Sequence, residues 1–420
     1  MTDSSSPCLD RARRRLLLAA PVLAGALARP RLAQGQAIGR WSAAWGCAPA
    51  GPPPNGALAF SNQTLRLVVR PSIGGDRVRI RLSNEMGALD LRIGHATIGV
   101  RSSGASVNPG SLRQLSFGGQ AGIRIPPGAP AVSDPVTLGV TPFADLSISL
   151  YLPDAVSATT IHNIAYQANY ASTPGDHCNT PALPQQQSFS SWPFLTEVAV
   201  DSAAPVLVAV GDSLTDGAGS TSNANRRWTD FLARRAASEP GAPLAVVNRG
   251  ISANRLLADN GATLNAGKDV LERFDRDVLA TSGVRALAIL IGINDISYSP
   301  SANPIPAEQL IAGYLQLVER ARLRGIVVLG STLPPFANFV YYTAARENVR
   351  QAVNAWMRSS VSFDALIDAD LALRDPEAPL RLRAGFDSGD HLHPNDAGYQ
   401  ALAAAVPLGV LSALRRHAGM

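Results

Sequence analysis

The chain has 420 residues, 46% of them apolar and 16% charged, enough to bury a sizeable core and long enough for two domains. Its formal charge is +5, but Arg11, Arg13, Arg14, Arg15, Arg29 and Arg31 against Asp3 and Asp10 put four of those charges in residues 1–37. The near-neutral remainder offers no basic surface, which argues against nucleic acid as a partner.

In chain order, Arg13-Arg14-Arg15 runs into the apolar stretch Leu16–Ala28, broken by Pro21 and Gly25 and ending in small residues. That is the layout of an export signal, too short to span a bilayer. Arginines directly before Leu-Leu are of the twin-arginine type. The expectation is a periplasmic or secreted protein whose export signal, residues 1–37, is cleaved after Ala28 or nearer Ala37, with no integral membrane segment left. Cys8 would be lost with the signal, leaving Cys47 and Cys178. In an oxidising compartment these either pair as a disulfide or stay as buried thiols, and both readings stand. Paired cysteines or histidines at zinc spacing are absent from the sequence, so neither a metal nor a cofactor is expected.

From about Trp41 to Val200 the texture has period two. Val78, Ile80 and Leu82 alternate with arginines, Leu89, Leu91 and Ile93 with Asp90 and Arg92, and Leu146, Ile148, Leu150 and Leu152 with Ser147, Ser149 and Tyr151. Each run predicts a half-buried strand, and Gly- and Pro-rich turns such as Asn108-Pro109-Gly110 separate them. Residues 38–200 are therefore expected to form an all-β sandwich, jelly-roll-like, as an accessory domain.

After Ala203-Ala204-Pro205, strands alternate with helices. Strands are predicted at Val206–Val210, Leu244–Asn248, Ala286–Ile291, Ile326–Leu329 and Ala365–Ile367. Helices are predicted at Trp228–Ala237, Ala307–Leu323, Ala344–Met357 and Asp396–Leu414. This is the signature of an α/β domain with a parallel sheet, here residues 201–420. Functional groups of such sheets collect at the carboxyl ends of the strands. Polar residues do follow those ends: Ser213 after the first, Asn248-Arg249-Gly250 after the second, Gly292-Ile293-Asn294-Asp295 after the third.

A serine hydroxyl needs a base to take its proton, and the base needs a partner to fix its tautomer. Asp390-His391-Leu392-His393 offers both in one loop, with His393 as base and Asp390 as its orienter; His391 is expected to be an exposed neighbour. An oxyanion needs waiting donors, and Gly250, Asn294 and the backbone of Ser213 are the candidates.

Four blocks, Gly211-Asp212-Ser213-Leu214, the Gly250 loop, Gly292-Ile293-Asn294-Asp295 and Asp390-x-x-His393, resemble in order and spacing the SGNH or GDSL-type hydrolase superfamily over roughly residues 205–415. The resemblance implies a flavodoxin-like three-layer fold and a metal-free serine esterase or lipase. It makes Ser213 the nucleophile, Gly250 and Asn294 oxyanion donors, His393 the base and Asp390 its orienter. The segment Asp387–Asp396 and the front segment Thr64–Asn84 look like an exported subgroup associated with xylan-related esterases, which implies short acyl esters, acetyl above all, on carbohydrate. The expected substrates are thus small esters or acylated polysaccharide. A lipid acylhydrolase of lysophospholipase or thioesterase type is one alternative. A polysaccharide-binding protein with a secondary hydrolase domain is another, with Trp41, Trp45, Tyr151, Tyr166, Tyr170 and Trp192 as a stacking platform or, on the plainer reading, as core.

Overall fold

The computed structural model describes residues 40–417 apart from Pro54, Ala242 and 260–263. The export signal expected at residues 1–37 lies outside the described residues. From Arg40 onward the chain forms one compact unit.

Its first half is built from antiparallel strands. One sheet has the order β1 (Trp41–Gly46), β12 (Leu195–Asp201), β3 (Gly75–Ser83), β5 (Pro130–Val132), with β6 (Val136–Val140) also on β3. A second runs β10 (Gln185–Phe189), β9 (Asn169–Pro174), β2 (Gln63–Val69), β7 (Leu146–Leu152), β4 (His95–Ser103). The two-stranded pair β8 (Ile161–His162) and β11 (Trp192–Pro193) stands beside them. The inward residues of both large sheets, Val78, Ile80 and Leu82 on one and Leu65, Leu67, Leu146 and Ile148 on the other, fall in one apolar cluster. Each such side chain stabilises by roughly 1.5–3 kcal/mol on burial.

The period-two reading needs two corrections here. Leu89 is 82% exposed and only Leu91–Ile93 forms the strand. β7 is buried on both faces, because the fully buried Arg66 lies over its polar side: the guanidinium donates to Ser149 Oγ and to the carbonyls of Ala105, Thr180 and Pro181. Loops thus cover a face that alternation assigns to solvent.

The second half is organised on a parallel sheet of order β14 (Ala245–Gly250), β13 (Val206–Gly211), β15 (Val284–Leu290), β16 (Val327–Ser331), β17 (Ala365–Ile367). In β13, Val206, Val208 and Val210 point into the cluster shared with the β-rich half, whereas Leu207 and Ala209 pack with Trp228, Leu232 and Leu402. Both faces are therefore covered by apolar side chains, which explains the unbroken apolar runs. Among the helices, α1 (Ser213–Asp216), α2 (Trp228–Ser238), α3 (Ile293–Ser297), α4 (Ala307–Arg322) and α5 (Ala344–Ser359) precede α6 (Asp396–Ala404) and α7 (Leu408–His417). The single helix expected over Asp396–Leu414 is two, because Pro407 lacks an N–H and disfavours helical geometry at Val406. Among the described residues no helix is long and apolar enough to cross a membrane.

β14 runs two residues past its predicted end, pairing Arg249 with Val210 and Gly250 with Gly211. Arg249 is buried and reaches back into the β-rich half. It meets Glu197 Oε2 at 3.0 Å and donates to the carbonyls of Cys47 and Thr196 and to Thr281 Oγ1.

Candidate active site

Ser213 opens α1 immediately after β13, so its side chain emerges at the carboxyl edge of the sheet from a rigid strand-to-helix turn. Asp212 caps the helix, its Oδ1 accepting the Leu214 N–H at 3.0 Å. The Asp212 carboxyl is fully buried, its Oδ2 has no partner among the described residues, and burial pushes its pKa up to about 7.

The loop before α6 is folded by its own carboxylates. Asp390 Oδ1 accepts the N–H groups of Leu392 (3.0 Å) and His393 (2.8 Å), which leaves Oδ2 for the His393 Nδ1–H at 2.5 Å. With Nδ1 protonated toward the carboxylate, Nε2 is the acceptor, and the Ser213 hydroxyl donates to it at 2.8 Å. Burial pushes the Asp390 carboxyl up, but hydrogen bonds from the His393 ring and backbone and the His393 charge outweigh it and hold the group well below the usual carboxylate range. His391 is exposed and occupied with Asp387 Oδ2 at 2.7 Å.

Asn294 lies on α3 and donates one amide hydrogen to the Asn254 carbonyl at 3.0 Å, keeping the other. Its neighbour Asp295 accepts the N–H groups of Leu256 and Leu257 at 2.8 and 3.0 Å, with burial pushing its pKa up to about 6. The pair thus gathers the loop after β14 against the site.

Gly250 has a different place from the one expected. It is the last residue of β14, its N–H donates to Asn248 Oδ1 at 2.8 Å, and an added Cβ would stand 2.3 Å from Asp216 N and 2.7 Å from Thr215 C. Its missing side chain lets α1 lie flush on the strand. Two other backbone N–H groups, those of Ser213 and Ala253, have no partner among the described residues, and Ala253 has φ +63°, an uncommon conformation for a residue with a side chain.

Of the two readings of the cysteines, the structure has the buried thiols: Cys47 and Cys178 are free and buried, not paired. Cys47 faces the Leu195 carbonyl at 3.3 Å beside Arg249, and Cys178 faces the His95 carbonyl at 3.5 Å against the other sheet. Burial pushes both thiols well above their ordinary range. The six candidate stacking aromatics do not form one open face. Trp192 is buried edge-on to Trp45 at 4.9 Å, Tyr170 is buried, and Arg79 covers Trp41 at 4.4 Å. Exposed rings occur instead on the loops beyond α3 and β16: Tyr298 and Tyr341 are about 40% exposed with centroids 5.2 Å apart, and Arg255 lies over Tyr298 at 5.0 Å.

The family comparison makes this protein a carboxylic ester hydrolase. Residues 209–401 match the model of the GDSL-like lipase/acylhydrolase family, and a β-rich region precedes them. Solved structures similar to this chain include a GDSL-like lipase from Bacteroides thetaiotaomicron (18% identity, 50% of this chain and 88% of that one, TM-score 0.36). They also include a catalytic mutant of an acetylxylan esterase from Geobacillus stearothermophilus (21%, 49% and 93%, TM-score 0.37), and an alpha/beta hydrolase from a Lake Arreo metagenome (24%, 51% and 97%, TM-score 0.38). No curated protein matches the sequence.

Residues with no role in the sequence reading, Asn248, Ser252, Ala253 and Asp295, all lie within or beside the quoted blocks. His162, described below, had no such signal.

Proposed function

We propose that the protein is an exported serine esterase in which Ser213 attacks, His393 moves the proton and Asp390 orients His393. The observation that carries this is the continuous chain from Asp390 Oδ2 through the His393 ring to Ser213 Oγ, at 2.5 and 2.8 Å. As Ser213 Oγ bonds to the ester carbonyl carbon, its proton passes to His393 Nε2 and Asp390 stabilises the imidazolium. His393 then returns that proton to the leaving alkoxide, and a water activated by His393 hydrolyses the acyl-enzyme. The oxyanion is received by the N–H groups of Ser213 and Ala253 and by the second amide hydrogen of Asn294, with Ala253 taking the role expected of Gly250.

The finer reading of the fold, a flavodoxin-like three-layer domain behind a jelly-roll-like sandwich, goes with this proposal and draws on the two covered faces of β13. Export to the periplasm or outside the cell rests on the twin-arginine pattern of residues 1–37. For the substrate we favour short acyl esters on carbohydrate. Tyr298, one helical turn beyond Asn294, and Tyr341 beside it support a ring-bearing alcohol, since both rings are partly exposed and offer apolar contact to a pyranose.

The test is Ser213→Ala against a chain-length series of p-nitrophenyl esters run beside acetylated xylan. The reading requires loss of turnover by several orders of magnitude with the thermal midpoint unchanged. Wild-type preference for acetyl esters and release of acetate from xylan support the substrate; preference for long acyl chains points to the lipid alternative.

A further inference from the structure

A buried histidine of the β-rich half lies beside the hydrolytic site. His162, on β8, is 4% exposed. Its Nδ1 faces the Ala48 carbonyl at 2.9 Å; its Nε2 faces Asp216 Oδ1 at 3.0 Å and the Ile164 carbonyl at 3.2 Å. Every partner is an acceptor, so each ring nitrogen must donate, and the geometry calls for an imidazolium. Burial works against the charge, but Asp216 outweighs it and raises the pKa. The charged groups that face the ring are Asp216 and, with the opposite effect, Arg227.

Asp216 is 2% exposed and ends α1, three residues after Ser213. With Oδ1 occupied by His162, its Oδ2 accepts both the N–H and the hydroxyl of Ser252, at 2.9 and 2.7 Å. Ser252 is the residue before Ala253, whose N–H has no partner among the described residues and whose φ is +63°. A non-glycine residue in that conformation is strained and persists only where its surroundings over-determine it.

We propose that His162 is a positioning residue for ester hydrolysis: by holding Asp216 against Ser252 it fixes Ala253 in its left-handed conformation and aims the Ala253 N–H at the developing oxyanion. This rests on the serine-esterase reading above. The β-rich half then supplies part of the support for the catalytic geometry, in a relay that runs from β8 through α1 to the loop after β14.

The test measures kcat, KM and their pH profiles on p-nitrophenyl acetate for wild type, His162→Gln and Ser252→Ala. Ser252→Ala keeps the backbone N–H, and its small side chain makes it the variant that folds if His162→Gln does not. Misaiming one oxyanion donor should lower kcat about ten- to a hundredfold in both while KM stays within about threefold. In wild type the imidazolium that the three acceptors call for is lost as pH rises through a value above the ordinary histidine range, so kcat should fall on the alkaline side; His162→Gln should be low and flat there. A folded His162→Gln or Ser252→Ala with wild-type kcat overturns the proposal, as does an alkaline limb that His162→Gln leaves unmoved. Wild type that neither turns over esters nor is labelled at Ser213 by a fluorophosphonate overturns the esterase reading instead.

Discussion

Substituting Gly250→Ala separates two roles that one glycine can play. If Gly250 served only as an oxyanion donor, alanine would keep the N–H and change little. The structure requires the opposite. The new Cβ would stand 2.3 Å from Asp216 N and 2.7 Å from Thr215 C, both backbone atoms, where ordinary contact begins near 3.4 Å. No side chain can turn aside to make room, so α1 must shift by roughly 1 Å, and α1 carries Ser213; a misplacement of that size costs on the order of a hundredfold in rate. The expected result is kcat on p-nitrophenyl acetate reduced about a hundredfold, with slower labelling of Ser213 by a fluorophosphonate. Overpacking should also cost about 1–3 kcal/mol of stability. Gly139→Ala is the control, because nothing lies within 4 Å of its added Cβ. A Gly250→Ala enzyme with wild-type kcat would refute the packing argument.

Asp390→Asn should leave the fold intact and lower kcat by about 10⁴, because an amide cannot hold His393 in the required tautomer; steady-state kinetics and the thermal midpoint check both parts. Glu197→Gln removes the partner of the buried Arg249 and should cost about 3–5 kcal/mol, read from guanidinium unfolding. Burial pushes the Asp277 carboxyl up, but Arg276 and then Arg273 bring it down to about 2. A folded pKa below the unfolded one means the stabilisation is present above about pH 4 and lost as pH falls toward 2, an amount on the order of 2 kcal/mol. Unfolding free energies measured across that window should slope downward in wild type and less steeply in Asp277→Asn.

How much of this was legible in the sequence depends on how local each determinant is. The five strands of the parallel sheet are visible because burial on both faces leaves continuous apolar runs, and their order of use follows from the polar residues at their ends. Ser213, His393 and Asp390 are visible for a related reason: a strand-to-helix turn and a three-residue loop can each be recognised without the rest of the fold. Gly250 shows where locality fails. A glycine in a polar block invites a backbone-donor role, yet its strand continues to pair, and Ala253 occupies the left-handed position that composition would give to glycine. The serines of β7 fail likewise, since alternation cannot reveal that Arg66 and distant loops close over them. Pro407 is a local signal of the same kind, yet the helix expected over Asp396–Leu414 runs through it, and it marks the break between α6 and α7.

His162 lies at the far end of that scale. Its partner Asp216 is 54 residues away, and no spacing rule connects them. The same holds for Arg249 and Glu197, 52 residues apart. Both pairs run between the β-rich half and the α/β half and both are buried, so each half leaves at the junction a charged group whose partner lies in the other, and removing one partner while the junction stays closed costs several kcal/mol. The change of texture near residue 201 is therefore a change of secondary structure and not a weak point in the molecule. An appended sugar-binding module would meet its neighbour through a modest polar surface. Here His162, Glu197 and the Ala48 carbonyl enter the polar network beneath the catalytic turn. The period-two half is thus better understood as the wall against which the nucleophile's helix is set.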